Sequence, residues 1–262
     1  MSYETLIYAV EDGVARITLN DPASLNAFSA QMGADLEHVI ARMENDAAVR
    51  AALLTGAGRG FCSGANLAQR GAALEAGQAD VGGVLERYVN PLIAGLKDRR
   101  VPLVTAVNGP AAGVGMSLAL MGDIVLAAES AFFLLAFTRI GLVPDGGATH
   151  LLARRIGLTR AMEMALLAER VPAAQALEWG MINRVLPDAE LLPAAQDVAH
   201  RLAQGPASIG LTRRLMLRGI DTALAEQLAA ERNDQREAGA TADFREGVMA
   251  FLEKRAPSFS GA

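Results

Sequence analysis

The chain has 262 residues, 52% of them hydrophobic and 20% charged, which predicts an α/β protein with a large buried core and excludes a disordered chain. Its 24 Lys and Arg residues against 29 Asp and Glu residues give a net charge of -5, which excludes a broad basic surface for nucleic acid. A single cysteine, Cys62, excludes an internal disulfide and a zinc site built on several thiolates. It favours a reducing compartment, so we expect a cytoplasmic protein.

The first predicted elements are two paired strands, near 5–10 and 14–19. Apolar runs there flank Asp12 and Gly13, a dipeptide typical of tight hairpin turns. The start of the chain has an early Glu4 and no basic segment, so we expect neither a secretory signal nor a transit peptide.

A helix and a second strand follow the hairpin. Ser29 suits a helix N-cap, and apolar residues recur at helical spacing after it until the strand-like run at 51–56. Strand, helix and strand in this order predict a parallel crossover. After a turn-rich segment at 56–64, the Ala- and Gly-rich stretch from Gln69 to Gly83 has weak periodicity and predicts a mobile lid.

The middle of the chain predicts a helix near 84–96, a strand at 103–107, a helix near 114–121 and a strand at 124–128. From Val101 through Gly122 no residue is charged, which matches the length of a membrane span. Turn-forming residues interrupt this stretch, so we expect a strand, a turn and a short helix and no contact with a membrane. These residues are Pro102, Asn108, Gly109, Pro110, Gly113 and Gly115.

Helical patterns dominate from Ala148 onward, and the last long ones lie near 222–236 and 243–255. Prolines are expected to break these patterns, at Pro172, Pro187, Pro193 and Pro206.

Two glycine turns, after Gly56 and after Gly109, are the first candidates for a binding site. They follow strands, and ligands gather at the carboxyl ends of strands in open α/β sheets. The GAGRGF segment does not match a dinucleotide fingerprint, because Phe61 stands at the third glycine. It is no phosphate loop either, because no Gly-Lys-Ser/Thr follows. Composition alone is equally consistent with glycines that only form tight turns.

Several motifs, in this order, resemble the crotonase superfamily of enoyl-CoA hydratases and isomerases. They are DGVARITLNDPASLNAFS at 12–29, FCSGANLA at 61–68, AVNGPAAGVGMSLALMGDI at 106–124 and GLVPDGG at 141–147. The tail FREGVMAFLEKRAPSFSG at 244–261 looks most like the ring-1,2-epoxyphenylacetyl-CoA isomerase branch. The resemblance implies an α/β fold of the crotonase-like ββα superhelix type with a C-terminal helical region. It implies an acyl-CoA-binding core at 1–195 and a helical trimerisation region at 196–262.

The resemblance also implies an oxyanion hole, in which the backbone N–H groups of Ala65 and Val114 hold an acyl-CoA thioester oxygen. Hydratases of the superfamily activate water with two glutamates, and the matching positions here are Ser117 and Phe137. Neither side chain acts as a general base at neutral pH. Asp145 lies in the turn where the epoxyphenylacetyl-CoA isomerase branch places its acid, so the sequence favours an isomerase with one carboxylate.

Further positions match the superfamily's coenzyme A contacts, and CoA is expected as part of the substrate, with no other cofactor and no metal. These positions are Ser24, Leu25, Ala27, Ala65, Asn66, Leu67 and Val114, with Lys254 reaching from a neighbouring subunit. The resemblance implies a homotrimer or a dimer of trimers.

Other interpretations stay open at this point. The chain could be a hydratase with an atypical water site or a non-catalytic acyl-CoA-binding protein, and Asp145 could be only a turn residue or N-cap. Cys62 is more typical of a small buried side chain than of a nucleophile, and His150 of a core or surface imidazole. A dehalogenase would need a lid histidine, but none lies between His38 and His150. RNA binding would need a lysine-rich helix, and 31–46 is acidic instead.

Overall fold

The computed structural model describes residues 3–67, 71, 75–77 and 80–262. Its strands are, in chain order, β1 Leu6–Glu11, β2 Val14–Leu19, β3 Ala51–Gly56, β4 Leu103–Val107, β5 Ala111–Ala112, β6 Ile124–Ala128, β7 Phe132–Leu134, β8 Val171–Pro172 and β9 Arg184–Leu186. Its α-helices are α1 Ala30–Asn45, α2 Val81–Val84, α3 Asn90–Asp98, α4 Val114–Leu120, α5 Ala148–Leu167, α6 Ala173–Glu178, α7 Asp188–Ala203, α8 Ser208–Gly219, α9 Leu224–Gly239 and α10 Ala242–Glu253. A π-helical turn, Leu85–Val89, joins α2 to α3, and 3-10 turns cover Pro22–Ser24 and Phe137–Ile140.

Two sheets organise these strands. The larger sheet has the order β1-β2-β3-β4-β6-β9, and the smaller has the order β5-β7-β8. In the larger sheet β1 and β2 are antiparallel, whereas every other neighbouring pair is parallel. β3 and β4 are buried along almost their whole length, as the continuous apolar runs of central parallel strands predict.

The predicted hairpin and helix start are confirmed. Asp12 and Gly13 have φ values of 49° and 79°, so both central residues of the turn are left-handed, as a type I′ turn requires. At the start of α1 the Ser29 side chain accepts a hydrogen bond from the Met32 amide at 3.1 Å. This bond satisfies one of the amides that the first turn of a helix leaves without a backbone partner.

The uncharged stretch at 101–122 folds as predicted into a strand, a turn and a short helix, here β4, β5 and α4. None of the helices within the described ranges is long and apolar enough to cross a membrane. Seven positions of the predicted lid at 69–83 lie outside the described residues, namely 69, 70, 72–74, 78 and 79, and its mobility stays a prediction. The helix predicted at 84–96 begins earlier, at Val81, where the Asp80 side chain accepts a hydrogen bond from the Gly83 amide at 2.8 Å.

The C-terminal half corrects one prediction. Pro193 does not break a helix but lies inside α7, whose first turn carries Asp188 and Glu190. A proline at this position removes one backbone hydrogen bond of the helix, because it has no N–H group. Packing outweighs that loss, because α7 lies against β2, β3, β4, β6 and β9 of the larger sheet. α7 also runs through the predicted boundary after residue 195, and the division into a core and a trimerisation region stays a prediction.

Two charged side chains tie the end of the chain to the rest of the molecule. Arg50, next to the start of β3, donates hydrogen bonds to the carbonyl oxygens of Gly205 and Phe259. Asp243, which is 2% exposed, accepts bonds from the amides of Ala207 and Ser260 at 2.8 and 2.7 Å. The chain end is therefore held both to the sheet and to the last helices.

Candidate active site

The first element of the candidate site is the N-terminus of α4. Gly113 precedes the helix with φ 52° and ψ -126°, a conformation open to glycine, and no side chain caps the helix. The Gly113 amide itself donates to the Leu134 carbonyl oxygen at 2.9 Å. Val114 is the first helical residue, so its N–H group has no carbonyl partner within the helix and is available to a ligand.

The second element is the loop from Phe61 to Leu67, whose backbone is aligned by short parallel bridges. Phe28 pairs with Ala65, because the Phe28 amide donates to the Gly64 carbonyl oxygen at 2.7 Å and the Asn66 amide donates to the Phe28 carbonyl oxygen at 3.0 Å. In a parallel bridge the central residue directs its own N–H away from the partner strand. The Ala65 N–H therefore faces away from Phe28.

Glycines bring this loop and the start of α4 into backbone contact. A β-carbon on Gly64 would lie 2.9 Å from the Ala112 carbonyl oxygen and 3.8 Å from the Gly113 Cα. A β-carbon on Gly115 would lie 2.3 Å from the Cys62 carbonyl oxygen. No other residue fits at these two positions, and so the glycines do more than form turns. They place the backbones that carry the Ala65 and Val114 amides side by side.

The third element is the turn that carries Asp145. Gly146 and Gly147 follow with φ values of 58° and 74°, and α5 begins directly after them. A β-carbon on Gly146 would lie 3.3 Å from Val114 Cγ2, so the turn packs against the first turn of α4. The Asp145 residue is half-buried, and one of its carboxylate oxygens is shielded from solvent. Asp145 therefore directly precedes Gly146, the residue that packs beside the side chain of Val114.

Two buried residues lie beside this turn. Ser117 has no exposed surface, and its hydroxyl donates to the backbone carbonyl oxygen of Asp145 at 3.3 Å. Phe137 is 7% exposed, and its ring lies 3.5 Å from the position that a β-carbon on Gly113 would take. Both positions are closed to bulk solvent, and neither carries an ionisable group.

The predicted coenzyme A positions lie on two neighbouring loops. In the first, the Ser24 hydroxyl donates to Asp21 Oδ2 at 2.5 Å and accepts from the Ala27 amide at 3.1 Å. The Ser63 amide of the second loop donates to the Leu25 carbonyl oxygen at 3.0 Å. Leu67 on the second loop is 53% exposed. The fold therefore groups the predicted positions at 24–27 with those at 65–67, and both loops adjoin β3.

Asn26 organises these loops and was missed by sequence reasoning. It is fully buried with a left-handed backbone, φ 57°. Its side-chain amide donates to the carbonyl oxygens of Ala57 and Gly60 at 3.0 and 2.8 Å, and its oxygen accepts from the Asp21 amide at 2.9 Å. The available signal was an asparagine among apolar residues, since asparagine tolerates left-handed backbone better than most residues.

Comparison with known proteins decides the family. A family model described as "Enoyl-CoA hydratase/isomerase" matches residues 9–262. The chain belongs to this family.

Relatives within the enoyl-CoA hydratase/isomerase family match over the whole chain. The Escherichia coli K12 protein named "1,2-epoxyphenylacetyl-CoA isomerase" is 46% identical over 98% of this chain and 99% of its own. A Rhodobacter capsulatus protein named "Probable enoyl-CoA hydratase" is 44% identical over 100% of both chains. The crystal structure of a Mycobacterium abscessus family protein superposes with a TM-score of 0.95 at 36% identity, covering 98% of this chain and 100% of that one.

These matches confirm the predicted resemblance, the crotonase-like α/β fold and an enzyme family that acts on acyl-CoA. The roles assigned to Ala65, Val114 and Asp145 stay predictions, as do the coenzyme A contacts. Lys254 is exposed and ends α10 with left-handed backbone, and its contact with a neighbouring subunit also stays a prediction.

The surroundings of Cys62 oppose a role as nucleophile, whereas those of His150 favour the neutral form of its imidazole. Burial raises the pKa of the Cys62 thiol to about 11, so almost no thiolate forms at neutral pH. Burial, together with the positive charges of Arg154 and Lys97, lowers the pKa of His150. Across the described part of the chain, no three His, Cys, Asp or Glu side chains are grouped so that they could hold a metal ion.

Proposed function

We propose that this family member is an enoyl-CoA isomerase in which Asp145 carries the proton and the amides of Ala65 and Val114 hold the thioester oxygen. The observation that carries the proposal is the placement of the Asp145 turn on the first turn of α4. Ser117 and Phe137, which match the two glutamates of hydratases, support it because neither can activate water.

The reaction moves one proton and no other atom. With a 3-enoyl-CoA substrate, the Asp145 carboxylate removes a proton from C2, and the electron pair shifts toward the thioester oxygen. The two amides stabilise the resulting enolate, each donor contributing roughly 3 kcal/mol in sites of this kind. The protonated Asp145 then returns the proton at C4, so the double bond moves from C3 to C2 and the carboxylate is regenerated.

The acyl group we favour is an aromatic one that carries an epoxide. The E. coli relative named for such a substrate is 46% identical over nearly the full length of both chains. With this substrate the Asp145 carboxylate removes the proton from C2, and the electron pair of the enolate breaks the adjacent C–O bond of the epoxide. The protonated Asp145 then gives the proton to the released ring oxygen, so the same acid and the same amides serve this substrate. We expect CoA to enter as part of the substrate, with no additional cofactor.

Exchange of the α-proton in heavy water tests the proposal. Wild-type protein incubated with a non-isomerisable acyl-CoA is expected to incorporate deuterium at C2, measured by mass spectrometry. Asp145→Asn should lose this exchange by at least about 100-fold while its Kd for the acyl-CoA stays within a few-fold. Asp197→Asn, at an exposed position of α7, is the matched control and should exchange like wild type. Retained exchange in Asp145→Asn would falsify the assignment.

A hydratase is the second candidate, favoured by the name of the R. capsulatus relative. Incubation with crotonyl-CoA separates the two activities, because hydration removes the conjugated double bond and its ultraviolet absorbance. We expect no loss of absorbance. A protein that binds acyl-CoA without exchange or hydration would instead be a non-catalytic binder.

Apolar exposure on the last helix supports the expected homotrimer or dimer of trimers. Phe244, Phe251 and Leu252 of α10 are 54%, 83% and 67% exposed. Side chains of this size are usually covered in a soluble protein, and a second copy of the chain would cover them. Light scattering on wild type and on Phe251→Glu tests this, because a charge in the contact should lower the measured mass.

A further inference from the structure

A cleft lies between the larger sheet and the C-terminal helices, at the opposite edge of that sheet from the candidate active site. Arg50, Val101 and Pro102 line it, and these residues directly precede β3 and β4. The cleft therefore opens at the amino ends of two parallel strands, whereas the predicted coenzyme A loops follow their carboxyl ends. Strands of this length place the two edges about 17 Å apart. The cleft has a volume of about 780 Å³, which is large enough for a small-molecule ligand.

The cleft is positively charged, although the protein as a whole is acidic. Seven cationic and four acidic side chains line it, an excess of three positive charges in a chain of net charge -5. Three of the four carboxylates already have partners. They are Glu44, with the Arg100 amide at 2.9 Å, Asp221, with Arg154 at 2.7 Å, and Glu237, with Arg214 at 3.3 Å. The fourth, Asp98, is exposed.

Two exposed cations at one end of the cleft are not paired. Lys97 belongs to the last turn of α3 and Arg218 to the last turn of α8. Among the described residues neither side chain donates a hydrogen bond or forms an ion pair. Both lie beside Asp221: the Asp221 amide donates to the Arg218 carbonyl oxygen at 3.1 Å, and the pKa of Asp221 is lowered by the bond from Arg154 and also by the charge of Lys97. The donors of both side chains are therefore available to a ligand.

The wall of the cleft also holds more buried guanidinium groups than carboxylates. Arg99 is 2% exposed, and it shares a single carboxylate, Asp123, with Arg213. Burial lowers the pKa of Arg99 to about 10, which still leaves this side chain cationic at neutral pH. Its Nε–H group has no acceptor within the described part of the chain. Since buried charges are weakly screened, this surplus adds to the positive potential of the cleft.

We propose that this cleft is a second binding site, for a small molecule that carries two or more phosphate groups. Guanidinium groups match phosphate oxygens as planar forks, and lysine adds a point charge. Lys97 and Arg100 reach the cleft from the segment between α3 and β4, whereas Arg214 and Arg218 reach it from α8. One ligand can therefore contact both sides and stabilise their packing. The inference is independent of the proposed function, because no residue of the cleft was assigned to proton transfer or to coenzyme A.

Inorganic pyrophosphate is the probe, titrated into the full chain by calorimetry at fixed ionic strength, with a sodium chloride titration as the control for screening. Wild type should bind one pyrophosphate per chain, and its thermal midpoint should rise. Arg218→Ala and Lys97→Ala should each raise the Kd at least about tenfold, because each removes a charge-assisted contact. Arg184→Ala is the matched control, since Arg184 is exposed on β9 and does not line the cleft, and its Kd should stay within about twofold of wild type.

Competition separates the cleft from the candidate active site, because acyl-CoA also carries phosphate groups. Saturating acyl-CoA should leave pyrophosphate binding unchanged, and Arg218→Ala should keep α-proton exchange within about twofold of wild type. Displacement of pyrophosphate by acyl-CoA would assign it to the coenzyme A site and overturn the inference. Asp145→Asn should bind pyrophosphate like wild type, so the proposed function can fail in its own exchange assay without affecting this test.

Other outcomes also overturn the inference. They are the absence of binding beyond the chloride control and an equal Kd in wild type, Arg218→Ala and Lys97→Ala. A wild type that binds no pyrophosphate, with a lower mass of Arg218→Glu in light scattering, would show that a second copy of the chain fills the cleft. If one alanine variant does not fold, as judged by circular dichroism, the Kd of the other decides.

Discussion

Removal of the Asn26 side chain should destabilise the protein far more than its small size suggests. Asn26→Ala deletes three hydrogen bonds in a fully buried place, from the Asp21 amide and to the carbonyl oxygens of Ala57 and Gly60. Each bond contributes about 1 kcal/mol net. Left-handed backbone costs alanine about 1 kcal/mol more than asparagine. We therefore expect a loss of about 4 kcal/mol in the free energy of unfolding.

Urea unfolding followed by circular dichroism measures this loss. Asn45→Ala is the matched control, because the Asn45 side chain makes one exposed hydrogen bond to the Ala41 carbonyl oxygen and its removal should cost less than about 0.5 kcal/mol. Asn26→Asp tests the direction of the bonds, since it replaces the donating NH2 group with an oxygen that faces two carbonyls. A loss below about 1 kcal/mol in Asn26→Ala, or an aspartate variant as stable as wild type, would refute the reasoning.

Two further predictions concern titration. Burial opposes ionisation of Asp243, but hydrogen bonds from the Ala207, Ser260 and Gly261 amides outweigh it and hold the pKa of this carboxyl below its ordinary value. The stability that ionised Asp243 contributes is therefore complete above the unfolded pKa of about 3.9 and is lost as the pH falls through the lower folded pKa. The thermal midpoints of wild type and Asp243→Asn should accordingly converge as the pH falls below about 4. The second prediction concerns Cys62, whose pKa is raised by burial to about 11. Iodoacetamide at about pH 8 should add no mass to the native protein but one adduct after unfolding. Rapid labelling of the native protein would contradict this burial.

Local signals in the sequence predicted the elements that frame the site. Asp12-Gly13 and the Ser29 N-cap depend on neighbouring backbone alone, and both are present in the structure. The continuous apolar runs at 51–56 and 103–107 predicted buried parallel strands, and from these the location of the glycine turns followed.

Features that depend on distant contacts were not predictable in the same way. Nothing next to Pro193 shows that α7 packs across five strands and so tolerates a proline. Asn26 is bonded to residues more than thirty positions away, and the Ser117–Gly146 contact joins segments 29 residues apart in the chain. The resemblance supplied the identities of the candidate site residues, whereas the packing of the Asp145 turn against α4 became visible only in three dimensions.

The Asp145 turn packs against the first turn of α4, which also carries Val114. This packing has a consequence for how such an enzyme can diversify. Both groups rest on the first turn of α4, so their separation is independent of the neighbouring surface segments. If Asp145 carries the proton as proposed, changes in those segments can admit a bulkier or a smaller acyl group without moving the acid or the Val114 amide. Different parts of one polypeptide then determine which acyl groups are accepted and which reaction takes place.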